Sequence, residues 1–289
     1  MNKSIKNFSK TPGIFKCRHP AHKLFKYQIS PYHVLTLKKC YPQGCVEFLW
    51  RCRLFEKGQT CHRKIKHVGR GCFSCSHYIE LKVSYSPEIL TDAKSFGYFI
   101  DDYHEYQGWL ESKHGRTVNI SGKIDSVKPH LTLELSANRQ MMDFDGFFIS
   151  LTSGYINNDL FDDKLYLRIS SSQLEKFKPA PGDSIESEAI FSHTKGRVIL
   201  QRARKLNIER YGGYLDFNIS KALVSRATGA IIRSDIIFCS GCQNCSLIDI
   251  KDSSRTASTS YRRFFCLRGI EDSENCPVRI EKLMPVEDN

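Results

Sequence analysis

The stretch Thr117–Leu135, TVNISGKIDSVKPHLTLEL, sets the fold class of this chain. Apolar residues alternate with polar ones from Val118 to Ile124, which is the pattern of a half-buried strand. Pro129 interrupts the alternation, because proline has no N–H to donate to a neighbouring strand. The alternation resumes over Leu131–Leu135. The stretch therefore predicts one long strand that bends at Pro129.

Four more strands and a helix are predicted downstream. The strands cover Gly146–Ile156, Leu165–Ile169, Ser184–Phe191 and Arg197–Ile208, and the helix covers Ser171–Phe177. This order of three strands, a helix and a final hairpin resembles the OB-fold, a five-stranded Greek-key barrel whose helix lies between its third and fourth strands. The resemblance covers residues 116–210. It implies a binding surface on the second and third strands and the neighbouring loops.

The 289-residue chain divides into four predicted segments. They are a basic Cys/His-rich metal-binding module at 1–85, a helical connector at 86–115, the OB-like barrel at 116–210, and a helix followed by a Cys-rich metal-binding module at 211–289. Ser220 is expected to cap the helix of the last segment. The predicted fold class is mainly β: a central OB-like five-stranded barrel with N- and C-terminal Cys-rich metal-binding modules and short connecting helices.

The excess positive charge lies in the first third of the chain. Residues 1–85 contain 17 Lys and Arg residues against three acidic ones, whereas the formal charge of the whole chain is +12. The remaining residues are therefore close to neutral. A basic segment of this kind favours a polyanionic partner, and nucleic acid is the leading candidate.

The predicted barrel offers a surface for a single strand. Leu165, Leu167 and Ile169 should point inward, which leaves the side chains between them on the outer face. An aromatic ring there can stack on a base while flanking cations hold phosphates. The predicted nucleic-acid-binding residues are Phe148, Lys164, Tyr166, Arg168, Lys195 and Arg197.

Twelve cysteines lie in two clusters, and the C-terminal cluster has the sharper spacing. It contains Cys239, Cys242, Cys245, Cys266 and Cys276. For zinc, Cys239 and Cys242 would join Cys266 and Cys276 in a tetrahedral site. For a [4Fe-4S] cluster, the ligands would be Cys239, Cys242, Cys245 and Cys276. This set, which ends in a Cys-Pro pair, resembles the ligand pattern of single-cluster ferredoxins. Both assignments stay open, with zinc preferred.

The N-terminal cluster contains enough ligands for two zinc sites. The predicted ligands are Cys40, Cys45, Cys52, Cys61, Cys72 and Cys75, and Cys17 with His19 and His22 forms a further set. Only Cys72 and Cys75 have the spacing of a metal knuckle, so the pairing of the others stays open. Because the start of the chain does not have the pattern of an export signal, the cytoplasm is the expected compartment, and clustered cysteines there favour metal over disulfides.

The sequence points to binding rather than catalysis. It contains none of the GxGxxG, GxxxxGK[ST], HExxH or GxSxG motifs. The acidic pairs Asp143/Asp145 and Asp162/Asp163 fit turns better than the magnesium ligands of a nuclease. There is also no run of about 18 apolar residues that would cross a membrane.

These features predict a cytoplasmic protein that binds nucleic acid, single-stranded DNA or RNA, with zinc in its cysteine modules. The arrangement resembles single-strand-binding OB domains that carry zinc ribbons. One alternative is an iron–sulfur redox or sensor protein that uses Cys239, Cys242, Cys245 and Cys276. Another is a non-catalytic subunit of a larger nucleic-acid-processing complex.

Overall fold

A computed structural model describes residues 3–233, 236–254 and 258–283. It divides into two compact units. The first comprises the described residues of Met1–Lys6 and Trp109–Asn289, and the second comprises Asn7–Gly108. The predicted segments 116–210 and 211–289 therefore share one unit.

The protein is mainly β, as the sequence predicts. Over the described residues, the strands are β1 (Ser4–Lys6), β2 (Phe15–Lys16), β3 (Gln28–Ile29), β4 (Cys45–Cys52), β5 (Tyr78–Tyr85), β6 (Glu88–Ile89), β7 (Thr117–Leu135), β8 (Gln140–Ile156), β9 (Asp159–Asp162), β10 (Leu165–Ile169), β11 (Ser184–Thr194), β12 (Arg197–Glu209), β13 (Ala230–Ile231), β14 (Cys245–Asp252) and β15 (Thr259–Cys266). The α-helices are α1 (Arg53–Glu56), α2 (Ala93–Lys113), α3 (Ser171–Phe177), α4 (Ile219–Thr228), α5 (Ile236–Ser240) and α6 (Pro277–Leu283).

The first unit is built on a ten-stranded sheet within the described residues. Its strand order is β1-β9-β8-β10-β12-β11-β7-β14-β15-β13, and β8 also pairs with β7. This extra pairing closes five strands, β7, β8, β10, β12 and β11, into a ring, which we call the ring below. The five other strands extend the ring at β8 and β7, which the sequence did not predict.

Strand β7 closes the ring because it is long enough to serve several neighbours. It pairs antiparallel with β11 through residues 117–123 and with β8 through residues 120–135. The pairing with β8 shifts register between Pro129 and Leu131, as expected where proline cannot donate a ladder hydrogen bond. Beyond this shift, residues 132–135 pair in parallel with β14.

The core of the first unit lies inside the ring. Phe147, Ile149 and Leu151 of β8 are fully buried, as are Leu165 and Leu167 of β10. These residues follow the period of two that a strand with one buried face requires. Helix α3 follows β10 and begins with a capping box, in which residues 170 and 173 each accept a hydrogen bond from the other's backbone N–H.

The second unit combines a small sheet with an exposed hairpin. Strands β3, β2 and β6 form the sheet, and Phe15, Val34 and Tyr103 belong to the apolar core beside it. Strands β4 and β5 pair as a hairpin that leaves Phe48 and Trp50 about half exposed, at 54% and 42%. The hairpin therefore carries apolar surface that no described residue of this unit covers fully.

The helices match the predicted connectors, with one correction. Helix α4 is capped by Asn218, whose side-chain oxygen accepts a hydrogen bond from the N–H of Lys221 at 2.9 Å. The predicted cap, Ser220, lies inside the helix instead, because Asn218 offers the same type of acceptor two residues earlier. No helix in the described part of the chain is both long and apolar enough to span a bilayer.

Gly146 and Gly115 provide a matched test of the close approach between β8 and β10. Both have left-handed φ angles, +74° and +73°. A Cβ at Gly146 would collide with the carbonyl oxygen of Ile169, whereas one at Gly115 would meet no atom within 4 Å. Gly146→Ala should therefore lower the free energy of unfolding by about 2 kcal/mol more than Gly115→Ala. Chemical denaturation measures the difference, and equal losses of stability in the two variants would contradict the close approach of Gly146 to Ile169.

Candidate nucleic-acid interface

The outer face of the ring presents the aromatic residues that the sequence analysis selected. Leu165 and Leu167 of β10 are fully buried, so Tyr166 between them points outward. Phe148 of β8 lies on the same face, with its ring centroid 6.2 Å from that of Tyr166. The predicted orientation of both aromatic residues is therefore confirmed.

A cleft opens between this face and the hairpin of β14 and β15, which we call the C-terminal hairpin. Four of the six predicted binding residues line the cleft, namely Phe148, Lys164, Tyr166 and Arg197. The other lining residues are Ser126, Lys128, Ser150, Ser240, Cys245, Ser246, Leu247 and Phe264. The cavity in the cleft has a volume of about 90 Å³, so it is smaller than the sites of about 300–1,000 Å³ that enclose a drug-sized ligand.

Stacking and ion pairing position the cations of the cleft. The Arg197 guanidinium lies over the Tyr166 ring, 4.4 Å from its centroid. The Lys164 ammonium donates to the Asp125 carboxylate at 2.9 Å, and the Ser150 hydroxyl donates to the same oxygen at 3.1 Å. Burial alone would raise the pKa of Asp125, but Lys164 and the hydrogen bonds outweigh it and the pKa lies below its usual value. Asp125 is therefore ionised at neutral pH.

Lys128 is a further cation of the cleft that sequence reasoning missed. Its ammonium donates to the carbonyl oxygens of Cys242 at 3.1 Å and Cys245 at 2.7 Å. Burial lowers the pKa of Lys128. The alternation along β7 contained a signal, since Ser126 and Lys128 flank the buried Val127. The three positive charges of Lys128, Lys164 and Arg197 outweigh the single negative charge of Asp125, so the cleft is positive.

Arg168, a fifth predicted residue, does not line the cleft. Its guanidinium pairs with the carboxylate of Asp145 on the neighbouring strand β8. Asp145 lies inside β8, not at the turn that the sequence suggested. The charge of Arg168 is thus partly offset by a cross-strand partner.

Lys195, the sixth predicted residue, joins the ring to the C-terminal hairpin. Its ammonium donates to Asp249 at 3.0 Å and to the hydroxyl of Ser260 at 2.8 Å. Arg262 donates to the same Asp249 oxygen at 3.1 Å and to the carbonyl oxygen of Lys195 at 3.2 Å. Lys195 therefore contributes to the architecture that forms the cleft rather than to its lining.

All five C-terminal cysteines line one small cavity behind the cleft. They are Cys239, Cys242, Cys245, Cys266 and Cys276. Cys245 and Cys266, the two residues that distinguish the zinc assignment from the iron–sulfur one, are paired across β14 and β15. Cys245 also lines the cleft, so the thiol cluster and the cleft share a wall.

The N-terminal cysteines fall into two groups within the second unit. Cys52, Cys61, Cys72 and Cys75 line a common cavity. Cys40 is instead buried in the apolar core together with Cys17, and Cys45 packs against that core. All twelve cysteines are free thiols.

Neither geometry nor similarity assigns a metal directly. Across residues 3–233, 236–254 and 258–283, no group of three or more His, Cys, Asp or Glu side chains is placed as a metal site requires. Comparisons with protein-family models, curated proteins and solved structures find no match to this chain.

Asp249 should stabilise the junction of the ring and the C-terminal hairpin in a pH-dependent way. Burial alone would raise the pKa of Asp249, but Arg262 and Lys195 outweigh it and lower the pKa. Asp249→Asn should therefore reduce the free energy of unfolding by about 1–3 kcal/mol at pH 7, because two charged donors lose the negative charge of their acceptor. The deficit should fade as the pH falls below about 4, where the wild-type carboxylate also becomes protonated.

The control is the exposed pair Glu134–Lys251, 2.7 Å apart, which also joins the ring to the C-terminal hairpin, through strands β7 and β14. Glu134→Gln should cost at most about 1 kcal/mol, since exposed ion pairs contribute little. Chemical denaturation at several pH values measures both variants. Equal losses at pH 7, or a deficit for Asp249→Asn that does not change with pH, would contradict the proposed role of Asp249.

Proposed function

We propose that this protein binds single-stranded nucleic acid in the cleft, and that the ring is an OB-like barrel. The observation that carries the proposal is that one positive cleft is lined by Phe148 of β8, Tyr166 of β10, Arg197 of β12 and Lys164, which directly precedes β10. Aromatic faces with adjacent cations are the combination that single-strand-binding grooves use.

The strand pairing supports the OB-like assignment. The ring runs β7-β8-β10-β12-β11 and back to β7, and β10 and β12 are parallel. Helix α3 lies between the third and fourth strands of the ring in chain order. These are the order and helix position of the OB-fold, whose second and third strands form its usual binding face. In this chain those strands are β8 and β10, which carry Phe148 and Tyr166.

The polar groups of the cleft suit a nucleotide. The hydroxyls of Ser126 and Ser150 lie 2.7 Å apart and can hydrogen-bond to a sugar or a base edge. Lys164 is 46% exposed at its side chain, so a phosphate can reach it. The Tyr166 ring can stack on a base beside the Arg197 guanidinium, which adds a cation–π contribution.

The basic second unit would add sequence-independent affinity. On its exposed hairpin Phe48 lies opposite Lys82, so an aromatic and a cationic side chain face solvent together. Contacts of this kind bind the phosphate backbone and weaken as salt rises. The free thiols fit a reducing compartment, which supports a cytoplasmic location and structural zinc.

An iron–sulfur redox or sensor function is the second candidate. It is favoured by one observation, namely that Cys245 lines the same cavity as Cys239, Cys242 and Cys276. All four ligands of the [4Fe-4S] assignment thus line a single cavity. Since Cys245 also lines the cleft, a cluster there would lie next to bound nucleic acid.

Tyr166 should account for much of the binding energy. Tyr166→Ala should weaken the binding of a single-stranded oligonucleotide by about 1–3 kcal/mol, because it removes the stacking face, whereas Tyr166→Phe should bind nearly as wild type. Fluorescence anisotropy measures the dissociation constants. Tyr155→Ala is the control, because Tyr155 is 42% exposed on β8 but does not line the cleft. Equal affinities of Tyr166→Ala and the control would overturn the proposed site.

Lys164 should contribute through a phosphate. Lys164→Gln should reduce the slope of log affinity against log salt by about 0.7, the value expected for one single-strand phosphate contact. Lys205→Gln is the matched control, since Lys205 is also an exposed lysine in an ion pair, with Glu188, but lies outside the cleft lining. Titrations at several salt concentrations give the slopes, and an unchanged slope for Lys164→Gln would place the phosphates elsewhere.

A further inference from the structure

The segment between β4 and β5 has no apolar core of its own. From residue 53 to residue 77, not one residue is buried. The segment nevertheless has a defined path, because its backbone makes repeated turns. A chain of this length that buries so little surface cannot offset its conformational entropy by apolar burial. Something other than the hydrophobic effect must therefore hold it.

The segment is wrapped around four thiols. Cys52, Cys61, Cys72 and Cys75 line one cavity, together with half-buried apolar side chains such as Ile65 and Val68. The thiols come from the end of β4, from the middle of the segment and from its last turn. Residues distant in sequence thus line one cavity, as the ligands of a structural metal do.

The local turns have the form that a metal knuckle needs. The N–H of Lys64 donates to the carbonyl oxygen of Cys61, and the N–H of Cys75 donates to that of Cys72, both at 2.9 Å. The Arg63 guanidinium donates to the carbonyl oxygen of Gly71 at 3.2 Å and so ties the two turns together. Each turn directs a cysteine toward the shared cavity.

We propose that Cys52, Cys61, Cys72 and Cys75 bind one zinc ion as a closed four-thiolate site, and that Cys17, Cys40 and Cys45 belong to a separate set. Four soft thiolates with no position left for water or substrate are typical of structural zinc. Binding releases the four thiol protons to solvent and rotates the sulfurs from the cavity wall onto the ion.

The charge of the surrounding segment suits this site. One Zn²⁺ and four thiolates have a net charge of −2. Residues 53–77 contain one acidic side chain, Glu56, and six basic ones: Arg53, Lys57, Arg63, Lys64, Lys66 and Arg70. The site therefore lies among cations that offset its negative charge. The proposal does not depend on the function of the cleft, which belongs to the other unit.

Metal analysis and thiol labelling of the full-length wild-type protein test the proposal. The protein is purified without added metal, its zinc and iron are measured, and it is pulse-labelled with N-ethylmaleimide before and after a zinc chelator. Metal analysis should find zinc in the protein. Mass spectrometry of the labelled peptides should show that Cys52, Cys61, Cys72 and Cys75 become reactive together on chelation. Iron in place of zinc, or four thiols that react equally without the chelator, would overturn the proposal.

Two variants test the allocation of ligands. Cys61→Ser should lose one zinc per chain and leave Cys52, Cys72 and Cys75 reactive before chelation. Cys17→Ser, the control from the separate set, should leave all four thiols protected. A double variant Cys61→Ser/Cys72→Ser should lose no more zinc than Cys61→Ser alone, because both residues bind the same ion. Loss of a second zinc in the double variant, or deprotection of the four thiols in Cys17→Ser, would show a different pairing.

Discussion

Strand β7 hydrogen-bonds to three other strands, and the candidate site exists because of it. Its first residues pair with β11, most of its length pairs with β8, and its last residues pair with β14. The first two pairings close the ring, and the third attaches the C-terminal hairpin beside the outer face of that ring. The cleft is the space left between the two. Backbone pairing therefore creates the cleft, and side chains line it.

The charges around the cleft divide into those that build it and those left for a ligand. Asp249 binds Lys195 and Arg262 and so holds the C-terminal hairpin against the ring. Lys128 reaches from β7 to two carbonyl oxygens of the cysteine turns. Lys164 pairs with the Asp125 carboxylate, and Arg197 lies over the Tyr166 ring. Both cations also line the cleft. An anionic ligand at Lys164 would compete with Asp125.

The sequence predicts local features well and long-range partners poorly. The period of two on β8 and β10 correctly placed Phe148 and Tyr166 on the outer face, because side-chain alternation is a property of a single strand. The same pattern could not show that Lys195 faces Asp249, 54 residues away, since that contact depends on the parallel pairing of β7 with β14. For the same reason, sequence spacing did not group the four thiols around the cavity of the second unit. The pattern of a single strand also does not identify a ligand for the cleft.

Photo-cross-linking tests the central claim, that the cleft holds a single strand, most directly. A bromouridine-substituted oligonucleotide is irradiated with the full-length protein, and the linked peptides are identified by mass spectrometry. The account predicts cross-links to peptides that contain Phe148, Tyr166 and Phe264, the three aromatic residues of the cleft lining. Cross-links confined to the basic second unit, at Phe48 or Trp50, would contradict it and assign binding to the exposed hairpin instead.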